Sequence, residues 1–107
     1  MDINDYQQFA MRTASKGGTV DQLLAGALGL IGEAAEVSEH IKKFMFHGHE
    51  LDPDLIADEV GDVLWYAALL ADTIKIDLST IALRNITKLQ KRYPEGFSAE
   101  RSVNRGE

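Results

Sequence analysis

The chain has 107 residues, a formal net charge of −6 and no cysteine. This length predicts a single domain, and the lack of cysteine excludes disulfides and zinc or redox sites built on thiolates. The acidic balance argues against a protein that binds a nucleic-acid polymer, because such a protein needs a basic surface to displace counterions.

The charge is unevenly distributed along the chain. Residues 1–76 contain 13 acidic and 5 basic side chains, whereas residues 77–107 contain 4 acidic and 6 basic ones. An acidic body beside a basic carboxy-terminal part suits a cation site next to a phosphate site. Ordinary variation in surface charge produces the same pattern, and this alternative stays open.

The amino terminus predicts neither a targeting signal nor a membrane anchor. Residues 1–11 are polar and acidic, whereas a secretory signal starts with a basic region and continues with an apolar one. The most apolar segment, 60–71, contains Asp62 and is too short to cross a bilayer. We therefore expect a soluble protein of the reducing cytoplasm that does not contact membranes.

The first two elements are predicted to be helices. An apolar stripe predicts a helix over residues 4–14, and two adjacent glycines predict a loop over residues 15–19. Asp21 is placed to cap a second helix that continues to residue 46. Three glycines inside this helix lower its propensity, but the apolar pattern runs through them.

The next two elements are also helices. Asp52 followed by proline is a strong start signal for a third helix, which runs to residue 74 or 76. A fourth helix starts at Asp77 or Ser79 and stops before the second proline of the chain. No segment alternates apolar and polar residues in the way that a strand requires.

Four helices joined by short loops predict an all-α fold, arranged as an antiparallel four-helix bundle. We assign residues 1–94 to this domain and residues 95–107 to a polar, irregular carboxy-terminal tail. A chain this short buries only a modest core, so association into an oligomer is expected.

Two pairs of acids have the spacing that brings side chains to one face of a helix. Glu33 and Glu36 lie three residues apart in the second helix, as do Glu59 and Asp62 in the third. The 22 residues between Glu36 and Glu59 allow a helix end, a turn and a return. The two pairs can then face each other across an antiparallel crossing.

Four carboxylates at one place would repel one another, and burial would add to that cost. A divalent cation removes the conflict, and ligation by oxygen alone suits Mg²⁺ or Mn²⁺ better than zinc. Mg²⁺ typically recruits substrate phosphates, so the pattern indicates nucleotide chemistry. The alternative is that the acids form solvated helix faces. Asp62 argues against it, because its sequence neighbours are apolar.

The helix wheel adds further residues to the two acidic arcs. Gly29, His40 and Lys43 share the arc of the second helix, and Tyr66 shares that of the third, with Trp65 at its edge. The glycines leave room either for a bulky ligand or for a closely packed helix. The aromatic rings either stack on a nucleobase or belong to the core. We expect His40 to make a hydrogen bond rather than to bind a metal.

These stretches resemble the MazG-like family of nucleotide pyrophosphohydrolases. The family signature is Glu-x-x-Glu followed, after a variable gap, by Glu-x-x-Asp. The matching segments here are GEAAE at 32–36, DEVGDVL at 58–64 and N-x-x-K-x-x-x-R-Y-P at 85–94. The similarity covers roughly residues 28–97, which is most of the chain.

The resemblance implies a short single-domain member that works as a homodimer or homotetramer. It implies hydrolysis of a nucleoside triphosphate between the α and β phosphates, which yields a monophosphate and pyrophosphate. Mg²⁺, or Mn²⁺ in its place, would be held by Glu33, Glu36, Glu59 and Asp62. Glu36 or Glu39 would orient or deprotonate the attacking water. The substrate-binding residues are then expected to be Lys43, Trp65, Tyr66, Asn85, Lys88, Arg92 and Tyr93.

Three other functions are compatible with parts of the pattern. A phosphoribosyl-ATP pyrophosphohydrolase would use the same chemistry, but the Gly61-Asp62 step and the Arg-Tyr-Pro ending favour the MazG-like family. A carboxylate-bridged di-iron or di-manganese bundle needs Glu-x-x-His pairs, which His40 does not form. In a non-enzymatic helical interaction module the carboxylates would be dispensable.

Overall fold

The computed structural model describes residues 1–104, and this part of the chain is all-helical without a β-strand. The four predicted helices are present, and a fifth, short helix lies in the tail that we expected to be irregular. Residues 105–107, the end of that tail, lie outside the described residues. None of the helices within residues 1–104 combines the length and the apolar character needed to cross a bilayer. The helices are α1 (Ile3–Met11), α2 (Thr19–Phe46), α3 (Pro53–Thr73), α4 (Leu78–Arg92) and α5 (Ala99–Val103).

The start of α3 follows the predicted signal. The Asp52 carboxylate accepts hydrogen bonds from the backbone N–H groups of Asp54 and Leu55, at 3.1 and 3.2 Å, and proline occupies the first helical turn. The prediction for α2 was wrong, because this helix begins at Thr19 and Gly18 takes the N-cap position without a side-chain cap. Asp21 lies in the first turn instead, where its charge favours the positive end of the helix dipole.

The start of α4 is held by α1 rather than by its own cap. Asp77 occupies the N-cap position, but its side chain makes no capping hydrogen bond. Instead, Gln7 accepts from the Leu78 N–H at 2.7 Å, and Asn4 accepts from the Ser79 N–H at 3.1 Å. Gln7 also donates to the Ile76 carbonyl at 3.1 Å. Two amide side chains of α1 therefore satisfy backbone groups that a helix start leaves without partners.

Helices α2 and α3 form a closely packed antiparallel hairpin. A Cβ added at Gly26 would lie 2.6 Å from the Leu70 side chain, and one added at Gly29 would overlap the Tyr66 ring. Position 26 thus faces position 70 and position 29 faces position 66, so the two helices run in opposite directions. At these two positions the glycines serve close helix packing rather than ligand space. Gly32, in contrast, borders open space.

The core is small and lies where α1 and the start of α4 meet α3. Its buried apolar residues are Ala10, Ala68, Ala71 and Leu78, with Tyr6, Met11 and Trp65 packed against them. Every residue from 81 to 90 in α4 is exposed. The radius of gyration is 16.8 Å, against about 13 Å for a compact domain of this length. A single chain therefore pairs α2 with α3 and adds α1, but it does not enclose α4 in the predicted four-helix bundle.

We expect Gly29→Ala to destabilise the protein by about 1–3 kcal/mol, because the new methyl group overlaps the Tyr66 ring and forces the helices apart. Gly32→Ala is the matched control in the same helix. Its methyl group enters open space, so the substitution should stabilise by up to about 1 kcal/mol through helix propensity. Urea unfolding followed by circular dichroism measures both. Equal effects of the two substitutions would contradict the close packing at Gly29.

Candidate metal centre

Three of the four predicted carboxylates meet between α2 and α3. Glu33 projects from α2, and Glu59 and Asp62 project from α3. One potential ligand oxygen of each residue lies within 4.8 Å of the others. Glu33 and Glu59 are half-buried, whereas Asp62 is exposed. The group is thus open to solvent on one side and backed by the helix pair on the other.

The electrostatics of this group show that the acids oppose one another. Partial burial raises the pKa of Glu33 above its usual value, and the negative charge of Asp62 raises it further. A hydrogen bond with Glu59 and the charges of Glu59 and Glu36 act in the same direction. A raised carboxyl pKa means that the ionised form is disfavoured at this position. Each of these interactions within residues 1–104 therefore disfavours the ionised form of Glu33.

The donor set fits a hard divalent cation. All three groups are carboxylates, and their oxygens are close enough to bind one ion. Oxygen ligands of this kind suit Mg²⁺ or Mn²⁺, and a site with few protein ligands leaves positions for water and for substrate phosphates. A bound cation would also supply positive charge that favours the ionised form of Glu33.

The other two acids of the predicted site lie beside this group. Glu36 is exposed and is not one of the three clustered carboxylates, although its charge contributes to the raised pKa of Glu33. Glu39 lies 3.6 Å from Lys42 of the same helix, in a pair of half-exposed side chains. Glu36 is thus close enough to influence the centre, but it faces solvent.

The two aromatic residues of α3 are half-buried and packed against other residues of the chain. The Trp65 indole N–H donates to the Thr13 hydroxyl at 2.8 Å. The Tyr66 ring lies against Gly29 and meets Trp65 edge to face, with ring centroids 4.9 Å apart. These contacts favour the core role over the stacking role that the helix wheel left open.

The predicted substrate-binding residues of α4 lie on an exposed helix. Asn85 and Lys88 are exposed, and within residues 1–104 neither makes a hydrogen bond or ion pair with the three carboxylates. Arg92 and Tyr93 are half-buried at the helix end, and the Tyr93 ring lies 5.4 Å from that of Phe97. Lys43 is half-buried in the last turn of α2. The structure therefore brings three of the four carboxylates together and, within residues 1–104, joins neither Asn85 nor Lys88 to them by a hydrogen bond or ion pair.

Two residues near the centre were not predicted as parts of it. Partial burial raises the pKa of the Tyr6 phenol in α1, and the negative charge of the nearby Asp62 raises it further. His40 of α2 contacts Glu59 of α3, with 3.5 Å between Nε2 and Oε1. The proximity of Tyr6 could not be read from local spacing, because α1 and α3 are far apart in the sequence. His40 was expected to make a hydrogen bond, and the structure instead gives it an ion-pair contact with a carboxylate of the centre.

Comparison with known proteins finds a family model and a relative that match most of the chain. The family model described as MazG nucleotide pyrophosphohydrolase domain matches residues 22–97, which contain all of the predicted site residues. The chain is 33% identical over 114 residues to the protein named Gene 37 protein of Mycobacterium phage L5. That alignment covers 98% of this chain and 100% of the phage protein. No solved structure matches the chain.

In protein free of divalent cations, we expect Glu33→Gln to raise the unfolding temperature at neutral pH. The raised pKa means that the folded state holds the Glu33 proton more tightly than the unfolded state does. This contribution to stability is present at low pH and is lost as the pH rises through the raised pKa. The wild type should therefore gain stability on mild acidification, and the variant should gain less.

Thermal unfolding with a chelator present, from neutral to mildly acidic pH, measures this difference. Glu50→Gln is the matched control, since Glu50 is an exposed acid of the loop between α2 and α3. It should follow the wild type. An unchanged pH dependence in Glu33→Gln would show that the raised pKa has no effect on stability.

Proposed function

The chain belongs to the MazG nucleotide pyrophosphohydrolase family, and on that premise we propose that it hydrolyses nucleoside triphosphates to monophosphates and pyrophosphate. The observation that carries the proposal is the group of Glu33, Glu59 and Asp62 between two antiparallel helices. These three carboxylates would hold Mg²⁺, or Mn²⁺ in its place. Glu36 would join them from the adjoining turn of α2.

The chemistry assigned to this site is cleavage of the anhydride bond between the α and β phosphates. A divalent cation, when bound, neutralises phosphate charge and lowers the pKa of a coordinated water. Glu36 or Glu39 would orient the attacking water and accept its proton. Glu36 is favoured by its exposure beside the centre, whereas Glu39 is engaged with Lys42. Phosphoryl transfer needs positioning and charge neutralisation more than covalent help from the protein.

The substrate would be held by polar and basic residues at the end of α2 and along α4. Helix α4 contains four basic side chains and no acidic one. We assign substrate binding to Lys43, Asn85, Lys88, Arg92 and Tyr93, with the exposed part of α4 facing the triphosphate. Trp65 and Tyr66 would then support the site from beneath, because their rings are already packed against Thr13 and Gly29.

We also propose that the active form is a homodimer, or a homotetramer built from two dimers. The accessible surface of the chain is 8047 Å², against roughly 5,900 Å² for a folded monomer of this mass. The face of α2 opposite α3 has large, exposed apolar side chains on both sides of Ser38, and we call them the apolar stripe. The stripe consists of Val20, Leu24, Leu28, Ile31, Ile41 and Met45.

We expect purified protein with Mg²⁺ to release pyrophosphate from at least one member of a panel of canonical and modified nucleoside triphosphates. Glu59→Gln and Glu36→Gln should reduce turnover to background, because each removes a charge assigned to the cation. Glu50→Gln, which changes an exposed acid away from the centre, should keep full activity. Chromatographic identification of the monophosphate and pyrophosphate is the measurement.

A wild type that turns over no triphosphate would contradict the proposed activity. Phosphoribosyl-ATP would then be the next substrate to test. If Glu36→Gln and Glu59→Gln had no effect on an observed turnover, the activity would not belong to this centre.

We expect the Leu28→Glu and Ile31→Glu double variant to sediment as a monomer while the wild type sediments as a dimer or tetramer. The two carboxylates would be buried in an apolar interface without partners, which disfavours association. Leu51→Glu, an equivalent change at an exposed apolar residue of the α2–α3 loop, is the control and should leave the assembly intact. Analytical ultracentrifugation distinguishes these states. A monomeric wild type at high concentration would contradict the oligomer.

A further inference from the structure

Within residues 1–104, His40 contacts the carboxylate centre from outside it. Its Nε2 atom lies 3.5 Å from Oε1 of Glu59, and the two side chains are only 25% and 22% exposed. The contact joins α2 to α3 and therefore depends on the packing of the hairpin. In contrast, the pair of Lys42 and Glu39 lies within one helix, and its side chains are about twice as exposed. The His40 contact is thus part of the interface that builds the centre.

His40 itself does not belong to the group that could bind one ion. The three residues whose oxygens lie within 4.8 Å of one another are Glu33, Glu59 and Asp62. The imidazole therefore reaches the centre through Glu59. Nε2 carries a hydrogen in the imidazolium and in one neutral tautomer, so the contact does not require a charged ring.

Glu59 needs such a contact, because its side chain is long and its neighbours repel it. The negative charges of Glu59 and Asp62 both disfavour the ionised form of Glu33, so the three carboxylates repel one another when all are ionised. The hydrogen bond between Glu33 and Glu59 requires a protonated carboxyl, so it is lost when both acids are ionised. Without His40, the ionised Glu59 carboxylate would then gain rotational freedom and lose repulsion by turning towards solvent. The His40 ring beside Oε1 restrains that rotation and keeps the carboxylate beside the other two.

We propose that His40 is a positioning residue that holds Glu59 in the orientation in which it binds the divalent cation. The inference rests on the metal centre of the proposed function and extends it by one residue. Carboxylates that bind metals commonly accept hydrogen bonds from outer residues, and loss of such a partner typically weakens metal binding about 10–100-fold. His40 acts before substrate arrives, since its contact lies within the protein.

This role predicts a specific kinetic pattern. Loss of His40 should increase the Mg²⁺ concentration needed for half-maximal activity, because the free protein must first bring Glu59 into place. The kcat at saturating Mg²⁺ should change much less, because the bound cation then restrains Glu59 directly. The KM for the nucleotide, measured at saturating Mg²⁺, should stay close to that of the wild type. A general loss of structure would instead change the Mg²⁺ requirement, the kcat and the KM together.

The test measures direct binding of Mn²⁺ to the nucleotide-free protein, using the electron paramagnetic resonance signal of the free ion. We expect His40→Leu to bind Mn²⁺ about 10-fold or more weakly than the wild type. His40→Gln places an amide N–H near the position of Nε2 and should recover most of the loss. His49→Leu, the same change at an exposed histidine of the α2–α3 loop, should bind like the wild type. Circular dichroism of each metal-free variant checks its fold, and His40→Ala replaces His40→Leu if leucine is not tolerated.

Equal Mn²⁺ affinity in the wild type and in the folded His40→Leu or His40→Ala variant would overturn the positioning role. An equal loss in His40→Gln would do the same, because it would show that the contact with Glu59 is not what matters. A wild type that binds no Mn²⁺ would overturn the metal centre itself. The direct binding measurement therefore separates failure of this inference from failure of the proposed function.

Discussion

The close antiparallel approach of α2 and α3 is the constraint on which the fold and the centre both depend. Gly26 and Gly29 let Leu70 and the Tyr66 ring pack against the α2 backbone. The same interface, continued along the hairpin, brings Glu33 opposite the acids of α3. Each glycine costs a helix interior about 1 kcal/mol of propensity relative to alanine. That cost is offset by packing, and a wider separation of the helices would pull the carboxylates apart.

The local parts of the fold were predictable from the sequence, and the long-range parts were not. Asp52 followed by proline is a signal contained in adjacent residues, and α3 starts there. The start of α4 depends on Asn4 and Gln7, whose contacts with it no local pattern reveals. The short helix α5 was missed, although Ser98 caps it by accepting from the Arg101 N–H. We predicted an irregular tail from its polar composition and did not consider Ser98 as a helix cap.

The same division applies to the candidate centre. A spacing of three correctly predicted that Glu59 and Asp62 share a face, because helix geometry alone determines it. The helical wheel placed Glu36 on the same arc as Glu33. At 100° per residue, however, the two side chains point 60° apart, and Glu36 lies at the solvent-exposed edge of the α2–α3 interface. The distinction between packing and stacking for Tyr66 required knowledge of what faces Gly29. That information comes from the packing of α3 against α2 and not from the sequence of either helix alone.

The dependence of α4 on α1 has a consequence for the order in which the chain folds. The hydrogen bonds from Asn4 and Gln7 to the α3–α4 turn join residues 69 to 75 positions apart. During synthesis α1 emerges first, so its two amides are already available when residues 76–79 leave the ribosome. The direction of α4 can then be fixed as soon as it appears. In refolding from denaturant, the same contacts must close a long loop, which slows folding. Asn4 and Gln7 near the start of this chain thus determine where its last long helix, α4, begins.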